Sequence, residues 1–147
     1  TGRVDDIINV AGHRLSTAEM EEIVASHPAV AECAVFGVHC DLKGQKPLAL
    51  VVLKSDVLES DAEISKAIVQ NVRHEIGAVA ALKNVLVVKR LPKTRSGKIL
   101  RKLLRNICDD LEYNVPSTID DVAIISEIES VYKSNQIGIH KNLINNE

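Results

Sequence analysis

Two helix starts are written into this chain, and what lies between them must be something other than helix. Ser16 is followed three residues later by Glu19, and Ser60 by Glu63. At that spacing a serine hydroxyl and a glutamate carboxylate can satisfy each other's free backbone donors. Met20, Ile23, Val24 and His27 continue the first helix at a spacing of three to four, and Pro28 stops it. Ile64, Ala67, Ile68, Val72 and Ile76 form the apolar face of the second, and Gly77 ends it. Between them, Val30 to Val38 and Leu48 to Leu53 read as buried strands, joined by a polar connection from His39 to Pro47. Ahead of the first helix, Ile8, Val10 and Leu15 alternate around Gly12, the pattern of a short hairpin with a glycine turn.

Residues 84–90 predict one more strand. Beyond it Ile99, Leu100, Leu103, Leu104, Ile107, Cys108 and Leu111 fall on one stripe, with Arg101, Lys102 and Arg105 on the rest of the helix. Strands and helices so mixed predict an α+β domain: a short β-hairpin, then a small mixed, partly antiparallel sheet covered by helices. Pro116 and Asp120-Asp121 set off a tail, in which Ile124, Ile125, Ile128 and Val131 predict a helix before a polar, Asn-rich end that should fray. A chain of 147 residues with 46% apolar residues can bury one modest core. No apolar run approaches the length of a membrane span.

Charge is the most informative feature for function. Net charge is -2, yet from Ile76 to Cys108 there is no Asp or Glu, while Lys83, Lys89, Arg90, Lys93, Arg95, Lys98, Arg101, Lys102 and Arg105 all fall there. Segregated cations raise the local potential and attract anions. In their midst, Pro92-Lys93-Thr94-Arg95-Ser96-Gly97-Lys98 is a loop ending in a lysine beside a glycine. A lysine's long stem and compact charge suit phosphate or carboxylate oxygens. A solvated basic helix face is the plainer reading of the same charges. Nucleic acid is a further alternative, although Phe36, Tyr113 and Tyr132 are the only aromatics and none lies in the window to stack on bases.

Cys33, Cys40 and Cys108 are odd in number and without paired spacing, so they read as free thiols of a reducing compartment. Cys33, His39 and Cys40 lack the fourth ligand and the spacing of a zinc site, and no metal site is expected.

Two long motifs resemble one family. Residues Gly2 to Leu15, reading Gly-Arg-Val-Asp-Asp-Ile-Ile-Asn-Val-Ala-Gly-His-Arg-Leu, are similar to the hinge motif of adenylate-forming acyl-CoA synthetases, and Pro92 to Lys98 to their catalytic lysine loop. Val72-Arg73-His74-Glu75-Ile76-Gly77 is similar to the segment between them. The order and spacing agree from residue 1 to about residue 112. Gly12-His13-Arg14-Leu15 and Thr94-Arg95-Ser96 resemble the acetyl- and propionyl-CoA synthetases, and residues 113–121 lean towards the propionyl type.

The resemblance implies the C-terminal lobe of the adenylate-forming fold: residues 1–112 a mobile domain that starts at the hinge, residues 113–147 a tail. It implies a carboxylate attacking the α-phosphate of ATP, with Mg2+ carried by ATP outside this segment, and CoA then displacing AMP. Lys98 would be the catalytic lysine, Asp5 the hinge, and Arg3 and Arg14 nucleotide-side contacts, Arg14 facing the reaction only in the thioester-forming orientation. Gly12 would let the pantetheine arm pass, and Arg73 would meet the CoA 3′-phosphate. Implied partners are an N-terminal domain of the same polypeptide, a short-chain carboxylate, and a lysine acyltransferase and deacylase acting on Lys98; no membrane or nucleic acid is expected. The implied location is the cytoplasm or mitochondrial matrix. A chain opening on such a motif is expected to be a piece of a longer one, inactive alone. The rivals are an adenylation domain serving a carrier protein and a basic nucleic-acid module.

Overall fold

The computed structural model describes residues 7–80 and 82–138. Arg3 and Asp5 lie outside them. The chain divides into two compact units, one ending at Lys89 and the other beginning at Arg90.

The first unit is an open five-stranded sheet with two helices. Strands β1 (Ile7–Val10) and β2 (His13–Ser16) form the expected hairpin, and α1 (Thr17–Ala25) follows at once, capped by the Ser16 hydroxyl accepting from the Glu19 amide at 3.1 Å. Strands β3 (Val30–Cys40) and β4 (Gly44–Leu53) make a long antiparallel ribbon, then α2 (Asp61–Glu75) and β5 (Val85–Val87) complete the unit. The order is β2-β1-β4-β3, with β5 pairing β4 in parallel, so the mixed, partly antiparallel sheet is as expected. A full capping box opens α2: Ser60 and Glu63 each accept the other's amide.

Alternation along β3 and β4 distributes the core. Cys33 and Val35 face the same side as their partners Val51 and Ala49, joining Met20 and Val24 of α1 and Ile64, Ile68 and Val72 of α2. Ala34, Phe36, Leu48 and Leu50 point to the opposite face and are buried too. Burial on both faces is why these strands read as continuous apolar runs. β3 is an edge strand, and α1 covers part of that edge: the Glu21 carboxylate accepts the Val35 amide at 2.8 Å.

The strands outrun their sequence limits. The connection expected over 39–47 shrinks to a turn, because both strands continue as an exposed ribbon to Cys40 and Gly44. Pro47 is tolerated inside β4 because its missing donor faces away from β3: Ala49, two residues on, aims its amide at Asn84 on the other side. β5 is shorter than the expected 84–90, and His27 lies beyond α1, where its Nδ1 accepts the Ala29 amide.

The second unit pairs α3 (Arg101–Cys108) with α4 (Ile124–Ser134). Leu103, Leu104, Ile107 and Cys108 of α3 are buried, as are Ile124, Ile128 and Tyr132 of α4. Tyr132 donates its hydroxyl to the Leu104 carbonyl at 2.9 Å, and burial pushes its pKa well above the phenol value. Two expectations for α3 are corrected. It starts at Arg101, not next to Lys98, and Leu111 is exposed beyond its end.

Candidate functional site

Lys98 stands near the tip of a turn that the chain closes on itself. Leu100 donates to the Pro92 carbonyl and Thr94 to the Lys98 carbonyl, both at 2.9 Å, while Lys93 and Ile99 bridge as antiparallel partners. Inside this narrow ribbon the Gly97 amide reaches the Thr94 carbonyl, and the Thr94 hydroxyl accepts the Lys98 amide at 3.1 Å. Gly97 is required by its φ of 94°, a left-handed torsion; nothing lies within 4 Å of where a Cβ would stand. Arg95, Ser96, Gly97 and Lys98 are all exposed, so the lysine faces outward on a short, hydrogen-bonded support. It belongs to a turn three residues ahead of α3, not to a helix start.

The loop also has an outer brace that the sequence did not announce. Residues 116–120 run alongside it: Arg95 donates to the Thr118 carbonyl at 2.9 Å, Asp120 to the Lys93 carbonyl at 2.8 Å, and Thr94 bridges Ile119. Just before the loop, Arg90 holds two carboxylates. Its Nε reaches Glu127 at 3.1 Å and its Nη1 reaches Asp121 at 2.8 Å, with Nη2 also on Glu127. These bonds, Glu127's first, push the Arg90 pKa up, and the Arg90 guanidinium together with the Ala123 amide lowers that of Asp121.

The first unit offers a separate cation-lined feature. A cavity of about 280 Å³ has a floor of Val69, Val72, Ala80 and Leu82 and three cations on its wall, Lys43, Arg73 and Lys83. Arg73 comes from the last turn of α2, whose carbonyl end favours a cation. Lys43 comes from the β3–β4 turn, where its carbonyl accepts the Ala11 amide at 2.8 Å. That bond ties the hairpin turn Ala11-Gly12 to the same end of the unit. Ala11 and Gly12 both have positive φ, 51° and 86°, the geometry that suits a two-residue hairpin turn. Lys43 therefore shares the cavity lining with Arg73 while its carbonyl holds the turn that contains Gly12. Arg14 is exposed on β2, opposite Asn9. Sequence reasoning counted Lys83 only as one of the basic run and missed Lys43, which carries no motif, and the brace at 116–120, which acts through backbone atoms.

Residues 19–98 match the family described as AMP-binding enzyme C-terminal domain. The chain is 58% identical over 137 residues to an uncharacterised protein of Pseudomonas aeruginosa, covering 93% of this chain and 22% of that one. It is 51% identical over 135 residues to acyl-CoA synthetase short-chain family member B, mitochondrial, of Dictyostelium discoideum, covering 92% of this chain and 20% of the relative. Among solved structures, an acyl-CoA synthetase of Brucella canis superposes with a TM-score of 0.64 at 35% identity, over 71% of this chain and 19% of that one. The chain thus spans about a fifth of the length of the curated relatives it matches.

Proposed function

The chain belongs to the AMP-binding enzyme C-terminal domain family, and from that premise we propose that it serves a short-chain acyl-CoA synthetase, with propionate or acetate as the acid. In the first step the carboxylate attacks the α-phosphate of ATP, giving acyl-adenylate and pyrophosphate. In the second, the CoA thiol attacks the acyl carbon and AMP leaves. Mg2+ enters as part of the ATP substrate; among the described residues no three His, Cys, Asp or Glu side chains converge to hold it.

The observation that carries this reading is the presentation of Lys98: exposed, at the tip of a turn fixed by its own backbone bonds and by residues 116–120. An ammonium so held offsets negative charge gathering between carboxylate and α-phosphate, and little of its placement has to be found during the reaction. The Lys43, Arg73 and Lys83 cavity supports CoA as acceptor over a carrier protein, since a phosphate-bearing free thiol can use three cations above an apolar floor. Gly12, at the same end, leaves room beside the backbone for the pantetheine arm. Arg3 and Asp5 retain their proposed roles as ribose contact and hinge, and Arg14 its role in the thioester-forming orientation.

Three further points belong to the proposal. The rest of the nucleotide and acyl site is supplied by an N-terminal domain of the same polypeptide. An acyltransferase and a deacylase control the enzyme through Lys98, because acetylation removes the charge the first step needs. Three free thiols fit a reducing interior, cytoplasm or mitochondrial matrix.

The test is Lys98→Ala in the full-length protein. Carboxylate-dependent ATP–pyrophosphate exchange should fall by about a hundred- to a thousandfold, the scale of removing one group that stabilises developing charge. Thioester formation from supplied acyl-adenylate and CoA should persist. Equal loss of both half-reactions would contradict the assignment.

A further inference from the structure

The backbone bonds inside residues 92–100 fix the shape of the lysine turn, but they leave open the direction in which it points. Direction comes from outside the ribbon, from residues 116–120, through the Arg95–Thr118 and Asp120–Lys93 bonds and the Thr94–Ile119 bridge. A strap of five mostly exposed residues holds its place only if its exit is anchored. The anchor is Arg90. Asp121, the residue immediately after the strap, and Glu127, in the first turn of α4, both close on that one guanidinium. Arg90 sits two residues before Pro92, so the anchor point is the base of the loop itself. Loop, strap and anchor form a closed ring: from Arg90 along the chain to Lys93, across to Asp120, on to Asp121, and back to Arg90. Asp121 is fixed in turn, since its other oxygen accepts the Ala123 amide at 3.0 Å.

Exposed ion pairs contribute little to folding because water competes for both partners. Arg90 and both carboxylates are two-fifths exposed or more. The fork of a guanidinium is instead suited to geometry, holding two carboxylates at fixed directions. We infer that residues 116–121, clamped through Arg90 to Asp121 and Glu127, position the lysine loop for the adenylation half-reaction, and that Arg90, Asp121 and Glu127 are positioning residues which never touch substrate. This inference rests on the proposed role of Lys98.

The experiment compares Arg90→Gln, Glu127→Gln and Arg90→Lys in the full-length protein with wild type and Lys98→Ala. ATP–pyrophosphate exchange is measured with propionate and with acetate, thioester formation with supplied acyl-adenylate, and melting temperature for each variant. Arg90→Gln and Glu127→Gln should lower exchange by about ten- to a hundredfold, the cost of misplacing a reacting group by about an ångström. Thioester formation, the KM for CoA and the melting temperature should hold. Arg90→Lys, keeping the charge but losing the fork, should recover part of the loss. Should Arg90→Gln fail to fold, Asp121→Asn carries the same comparison.

If Lys98→Ala abolishes exchange while Arg90→Gln and Glu127→Gln leave it at the wild-type level, the strap is overturned and the lysine assignment stands. If the variants lose both half-reactions in step with melting temperature, the clamp is merely structural and the inference is wrong. If Lys98→Ala itself keeps wild-type exchange, the lysine assignment falls and the strap falls with it.

Discussion

Slight burial raises the pKa of the Cys40 thiol, but the Lys43 and Leu42 backbone amides and the Lys46 and Lys43 charges outweigh it, leaving the group below its ordinary value. Because the thiolate is the nucleophile, a lowered pKa moves alkylation to lower pH. Cys40 is also the accessible thiol, with Cys33 and Cys108 both buried. Iodoacetamide should therefore modify Cys40 first, with a rate whose half-maximal pH lies below that of a free cysteine measured alongside. Peptide mass spectrometry across a pH series checks this; preferential labelling of Cys33, or a midpoint above that of free cysteine, would show that the Lys43 turn does not stabilise the anion. The same turn explains why the sequence was a partial guide to the site. Lys98 stood out by its loop and its basic surroundings, and Arg73 only through the family resemblance of residues 72–77. Lys43 could not, since it joins Arg73 only through the pairing of β3 with β4 and the bond from Ala11.

Among the elements, the hairpin depends on a single missing side chain. A Cβ placed on Gly37 of β3 would come within 2.3 Å of Ile8 Cγ2, so the glycine makes room for the hairpin's buried isoleucine. Gly37→Ala should destabilise the chain by about 1–3 kcal/mol, the usual cost of overpacking a core. Gly37→Ala combined with Ile8→Ala should be less unstable than the sum of the two single changes, because the clash is then gone. Urea unfolding of the four proteins measures it, and strict additivity would show that the contact is relieved elsewhere. Helices and buried strands were legible because caps and apolar spacing act locally: Ser60 with Glu63, and Ile64, Ile68 and Val72, fell where expected. Ends were less legible. The ribbon from His39 to Gln45 is polar because water covers it, so strand continued where the composition suggested a loop. The start of α3 slipped to Arg101 because Lys98 and Ile99 are spent on closing the turn. The strap left no mark in the sequence, since backbone bonds do not select side chains.

At the scale of the whole molecule, the two cationic features belong to different compact units, the cation-walled cavity before Lys89 and the lysine turn after Arg90. Each is built by bonds within its own unit, so damage to one should leave the geometry of the other unchanged. That separation predicts how kinetic defects should divide in the full-length protein. If Arg73 meets the CoA phosphate as proposed, removing it should raise the KM for CoA by about tenfold or more, the value of one charge-assisted hydrogen bond. Lys43→Ala and Lys83→Ala should act in the same direction but more weakly, being single flexible charges. None of the three should alter the KM for ATP or the rate of ATP–pyrophosphate exchange, which the proposal assigns to the lysine turn. Steady-state kinetics with CoA and with ATP as the varied substrate make the comparison. The combined Arg73→Ala and Lys98→Ala protein adds a sharper one: its exchange rate should equal that of Lys98→Ala alone. A lower rate would mean that the cavity contributes to adenylate formation as well, and that two structurally separate units share one half-reaction instead of dividing the two.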